Sequence, residues 1–186
     1  MTKAQLYQKM DYVNHSREKR MEMATLISKN ENLVEPLLQI AFDYDNPISS
    51  KACWVMEFTT KENLPYIFPY LDLFTSSIGN VHLDSSVRPM AKICEYLIMN
   101  YFHKTPNTTK EALKDEHLEK ITTACFDWLI GDHKVATQAY SMTCLLLLGR
   151  KYDWIHPELK MVLEQNYANG SAAYKARARL TLAKLG

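Results

Sequence analysis

Glycine is scarce in this chain, five in 186 residues. The scarcity is matched by missing motifs: the sequence carries no glycine-rich phosphate loop and no Gly-x-Ser-x-Gly nucleophile elbow. Long apolar runs are missing too. CLLLLG at 144–149 is the longest near a helix, far short of the roughly twenty residues that cross a bilayer. The opening MTKAQLYQKMDYVNHSREKR has no apolar centre of the kind a secretory leader carries. The four cysteines, Cys53, Cys94, Cys125 and Cys144, never pair as Cys-x-x-Cys. Each sits in an apolar helical frame, where cysteine acts as a small hydrophobe. Free buried thiols and a cytoplasmic setting are expected, without disulfides. No two of the six histidines have His-x-x-x-His or His-Glu-x-x-His spacing, so no metal and no cofactor are expected. Charge of one sign is lacking as well. A net charge of +1 falls short of the basic excess that phosphate neutralisation asks of a dedicated DNA binder.

What is present favours helices. The chain is 47% hydrophobic and 23% charged, with abundant Leu, Ala, Lys, Glu and Met, whose side chains lose little freedom in a helix. Within it one pattern recurs. DNPISSKACWVMEF at 45–58 and DSSVRPMAKICEYL at 84–97 share a grammar of acid, serines, base and apolar run. With Ala52, Ala91, Ala139 and Ala176 as a reference column, Ile48, Val87, Val135 and Ala172 stand four residues before. Phe58, Leu97, Leu145 and Leu182 stand six after, and Asp45, Asp84, Asp132 and Asn169 seven before. Offsets of −4, 0, +3 and +7 fall on one helical face. An Asp or Asn ahead of such a face is an N-cap signal. Each unit thus has a helix B with its alanine side turned inward. Ahead of each B helix lies another apolar stretch, at 32–42, 64–74, 117–130 and 155–167, read as a helix A joined to B by turn residues.

Helix pairs recurring about every 40 residues are the signature of an α-solenoid. The pattern resembles HEAT-type (armadillo-type) repeats, including their small bacterial relatives, which favour an N-terminal Asp or Asn, then Val or Ile, a basic residue and a small Ala. DSSVRPMAKICEYL fits this best, and NGSAAYKARARLTLAKL at 169–185 has a lighter, alanine-rich face suited to an end. The resemblance implies a single all-α domain over 1–186, an α-α superhelix of about four HEAT-like helix pairs. Residues 1–30 form an N-terminal cap, residues 31–186 the repeats, and a polar loop insertion falls around 100–116.

In such a stack the face opposite the alanines lines a shared concave surface. Helical geometry assigns positions −2, +1, +5 and +8 to it: Ser50, Cys53, Glu57 and Thr60 in the first pair, and Tyr96, Tyr140 and Tyr174 with Lys92 and Arg177 in the others. Tyrosine and arginine commonly anchor interfaces. The expected function is therefore a non-catalytic scaffold whose binding residues are Lys92, Tyr96, Tyr140, Tyr174 and Arg177, with a protein or peptide as partner and no membrane. The alternative is nucleic-acid binding, because bacterial glycosylases that remove alkylated bases resemble HEAT solenoids and use Trp, Asp and basic residues. Trp54, Trp128 and Trp154 are present, with Asp127 and Asp153 each preceding a Trp and a basic cluster at Lys175, Arg177, Arg179 and Lys184. Core packing is the competing account of Trp54 and Trp128.

Overall fold

Caps and prolines decide where the helices begin. The computed structural model describes residues 1–186. It is all-α, 77% helical and without strands. The chain forms two compact units, Met1–Ile93 and Cys94–Gly186.

In the first unit, Thr2 and Gln5 close a reciprocal capping box on α1 (Lys3–Met10), satisfying two first-turn amides at once. Ser16 caps α2 (Arg17–Ser28). A 3-10 turn, Glu31–Leu33, runs into α3 (Val34–Ala41). Asn46 caps α4 (Pro47–Glu62), with Pro47 at its first position, where a missing N–H costs nothing. The stretch expected as the second helix A divides. Leu64–Tyr70, with Pro65 and Pro69, is 3-10, and α-helix starts only at α5 (Leu71–Ser77). Prolines deny the i→i−4 bonds an α-helix needs. After the 3-10 turn Ile78–Asn80 comes α6 (Asp84–Tyr101), with Pro89 inside it; its residues up to Ile93 belong to this unit and the rest to the second. Helix α4 packs on α1, α2 and α3 and on the 3-10 segment after it. Leu6, Met10, Ile27, Leu37, Leu38, Val55, Met56, Ile67 and Phe74 are buried in this unit.

In the second unit, the expected loop insertion contains a short helix, α7 (Thr108–Ala112), capped by Asn107. It is followed by α8 (Asp115–Ile130), α9 (Val135–Leu148), α10 (Ile155–Tyr167) and α11 (Ala172–Leu185). Helix α8 packs on α9, α10 on α9 and α11, and α11 on α9. Leu118, Ile121, Cys125, Leu129, Met142, Leu145, Leu159, Leu163 and Ala178 are buried here. The turn between α9 and α10 is built around a histidine. His156 Nε2 donates to the Leu146 carbonyl at 2.9 Å, in the last turn of α9, where carbonyls lack helical partners. Gly149 makes room for it: a Cβ there would lie 1.9 Å from the His156 ring.

The alanine column holds in part. Ala52 and Ala91 are fully buried, Ala139 is half-buried, and Ala176 is exposed. On α11 the buried residues are Tyr174, Ala178 and Thr181, so that helix is rotated from its expected phase. The opposite face of α4 also departs from expectation, since Ser50, Cys53, Glu57 and Thr60 are all buried. A helix with neighbours on several sides has no wide outer face. Its small polar residues are satisfied inside the protein: Thr59 and Thr60 donate to the Val55 and Met56 carbonyls, and Ser50 bonds Ser85 and Ser86 at 2.7 and 2.8 Å.

Candidate functional site

What α4 leaves open is a single stripe, Lys51, Trp54 and Phe58, each half-buried and spaced three and four residues apart as one helical face requires. A proline fixes its central member. Pro89 has no N–H to offer the carbonyl four residues back, which belongs to Ser85. The Trp54 indole N–H donates to that carbonyl at 2.7 Å. The tryptophan is thereby held at one end and leaves ring surface open beside α2.

Two residues from the α2 end cover part of that ring. His15 lies against Trp54 with ring centroids 4.9 Å apart. The Arg20 guanidinium stands 6.0 Å from the Trp54 ring and 5.0 Å from the Phe58 ring, within range of cation–π attraction. Arg20 is oriented from behind, its Nη2 donating to the His15 carbonyl at 3.0 Å and its Nε to the Ser16 carbonyl at 3.3 Å. On the other side of α4, Arg88 of α6 meets Glu57 through a fork, Nη1 to Oε2 at 2.8 Å and Nη2 to Oε1 at 3.4 Å. The Glu57 side chain is 7% exposed and that of Arg88 37%. A buried carboxylate thus anchors a guanidinium that still reaches solvent, geometry suited to Arg rather than Lys. At the other end of the stripe, Lys51 Nζ donates to the Asp11 carbonyl at 3.1 Å.

The result is an alternation of cation and aromatic across three helices: Arg20, then Trp54 and Phe58, then Arg88. Behind it the chemistry is quiet. Burial pushes the Cys53 thiol up to about 12, so it stays protonated and unreactive at neutral pH.

The residues expected from sequence are placed as follows. Lys92 lies one turn beyond Arg88 on α6 and Tyr96 one turn beyond Lys92, both half-buried. Tyr140 is half-buried on α9, three residues before Thr143, whose hydroxyl accepts a hydrogen bond from Arg177 Nη2. Arg177 therefore reaches α9 about one turn from Tyr140. Tyr174 is not on an open surface. It is 4% exposed, and its ring packs so closely over Gly170 that a Cβ there would approach it to 2.5 Å. Burial pushes its phenol up while the neighbouring Asn166 side chain pulls the other way, and its hydroxyl lacks a hydrogen bond of good geometry.

Sequence reasoning missed Arg20, Phe58 and Arg88 and left Trp54 between a nucleic-acid candidate and a core residue. Trp128 is buried as expected, and Trp154 is exposed. One signal for the stripe was present. A proline five residues into a helix leaves a carbonyl that needs a donor, and the nearest B helix carries a tryptophan. No family model, no curated protein and no solved structure matches the chain.

Proposed function

We propose that the protein is a non-catalytic binding module of HEAT-like helix pairs, acting in the cytoplasm and taking up a protein or peptide segment along the strip from α2 across α4 to α6. Packing of α3 on α4, α8 on α9 and α10 on α11 supports the helix-pair reading. The observation that carries the binding reading is the pre-set Arg20–Trp54–Phe58–Arg88 alternation. Trp and Arg are the residues most enriched among energetic anchors of interfaces. Here the side chains are held by a buried carboxylate, by backbone carbonyls and by a helix carbonyl freed by proline. Ordering such long side chains is a usual cost of association, about 0.5–1.5 kcal/mol each, and much of it is met before a ligand arrives. The ligand this surface suits carries carboxylates for the guanidiniums and an apolar or aromatic side chain for the Trp54–Phe58 step.

The test is a hydrogen-exchange footprint of the protein with a partner captured from its own cell extract. Protection is expected in α2, α4 and the first half of α6, with binding weakened about tenfold or more by Arg20→Glu. Protection confined to other helices overturns the assignment. Nucleic acid is the second reading, favoured by one observation: cations interleaved with aromatic faces also serve phosphates and stacked bases. Fluorescence anisotropy with single- and double-stranded oligonucleotides at two salt concentrations separates the two. Salt-sensitive binding that Arg20→Glu removes selects nucleic acid.

A further inference from the structure

We propose that the groove between α8 and α10 docks a basic amphipathic helix from a partner protein, a site separate from the strip on α2, α4 and α6. Eight large hydrophobic residues of the chain are exposed, and three of them, Ile130 at 60%, Trp154 at 56% and Met161 at 45%, line this one groove. Convergence of that kind, rather than single exposed apolar residues, marks an interaction surface. The Phe126 ring stacks on Trp154 with centroids 5.7 Å apart and planes 22° apart, forming a flat aromatic floor. Val162 also lines the groove, whose volume is about 510 Å³.

Its two walls are helical stripes. Phe126 and Ile130 are four apart on α8, while Trp154 at the N-cap of α10 and Glu158, Met161 and Gln165 within it follow at four, three and four. A groove walled by two helices accepts a third helix through anchors of the same spacing. At the end marked by Ile130 and Asn166 it adjoins a second cleft of about 470 Å³, lined by residues that include Asp132 and Ser171.

Charge selects the occupant. Glu158 is the one ionisable residue lining the groove. Among the exposed charged chain neighbours of the lining residues, Asp127, Asp153 and Glu164 are acidic and Lys160 is basic. No Lys or Arg lines it. An apolar stripe with a carboxylate in its lining and an acidic excess among its exposed neighbours is complementary to a helix whose own apolar stripe is flanked by Lys or Arg, and it penalises an acidic one.

The test is selection of helical peptides from a displayed library in which the apolar stripe is kept and the flanks are randomised over Lys, Arg, Glu and Asp. Basic-flanked helices are expected to be enriched on the wild-type protein. Their affinity is expected to fall about tenfold or more on Ile130→Glu or Met161→Glu, and Glu158→Lys should shift the preference toward acidic flanks. Both apolar positions are exposed, so helicity by circular dichroism should be unchanged, and either variant serves if the other misfolds. No enrichment, acidic winners, or winners indifferent to both substitutions overturns the proposal. Self-association seen by sedimentation and abolished by Ile130→Glu, without any enriched helix, assigns the groove to a second copy and overturns it equally.

Discussion

Helices α4 and α11 carry the same sequence grammar and end in opposite situations. Each opens after an Asn or Ser cap, and each places an alanine at the reference column. In α4 that alanine, Ala52, is fully buried, along with Ser50, Cys53, Glu57 and Thr60 from the face expected to be open. In α11 the alanine, Ala176, is exposed and the tyrosine two residues before it is buried. The difference lies in the neighbours. Helix α4 is packed on α1, α2 and α3 and on the following 3-10 segment, whereas α11 packs on α9 and α10. A column of small residues records that a helix can approach another closely. It does not record whether a neighbour is there.

The largest expected effect tests this difference with one substitution made twice. Ala52→Glu places an uncompensated charge in a closed interior and should cost about 3–5 kcal/mol, enough to unfold a marginal domain. Ala176→Glu, at the equivalent column of α11, should change stability by no more than about 0.5 kcal/mol. Urea denaturation of both variants measures the contrast, and equal costs would break the comparison.

The second effect sharpens it through pH. Cys53 belongs to the α4 face that was expected to be open, and burial raises its thiol from 9.0 to about 12. The unfolded chain releases this proton near pH 9, while the folded chain holds it until about 12. The stabilisation is therefore complete below pH 9 and is lost as pH rises from 9 toward 12. A shift of this size corresponds to up to about 4 kcal/mol at the top of the window. Cys94 and Cys144 are also raised by burial, with Cys125 beside them, so the wild-type slope is shared among several thiols. The difference between wild type and Cys53→Ala isolates the α4 share: the variant should lose stability more slowly above pH 9 in denaturation series from pH 8 to 11. Parallel slopes would place Cys53 in contact with water.

Helix positions were legible in the sequence because their signals are local. Pro47 marks a start that the structure keeps, and the Asp/Asn column falls within a few residues of each B helix, but the caps themselves are Asn46 and Ser171 rather than Asp45 and Asn169, and α9 opens after Lys134 rather than Asp132. The N-terminal helices and the pairs at α3/α4, α8/α9 and α10/α11 follow from apolar spacing of the same local kind. The rotation of each helix was not legible. It depends on how many neighbours share the burial, a property of contacts far apart in the chain. Hence Tyr174 was expected on a surface and lies in the interior, while Phe58 marked a repeat column and lines the open strip. The α8/α10 groove escaped for a related reason. Phe126 with Ile130, and Trp154 with Met161, are apolar at helical spacing, which reads as core until the missing neighbour is seen.

The smallest expected effect examines how α4 and α6 are joined, a link with no counterpart on α11. If Trp54 is held because Pro89 leaves the Ser85 carbonyl without its helical donor, the two residues must be energetically coupled. Trp54→Phe removes the indole N–H, leaves that carbonyl unsatisfied and trims the ring, with a cost of about 1–2 kcal/mol. Pro89→Ala restores a backbone N–H four residues from Ser85, so in the wild-type background it competes with Trp54 for one acceptor. In the double variant the new amide takes over the role the indole has lost. The Trp54→Phe cost should then fall by about 0.5–1 kcal/mol relative to its cost beside Pro89. A double-mutant cycle by chemical denaturation reads this directly, and indole fluorescence of Pro89→Ala should report a looser Trp54. Strict additivity would show that the 2.7 Å contact between the indole and Ser85 orders the ring without compensating for the proline, and that packing of α4 on its neighbours alone sets the stripe.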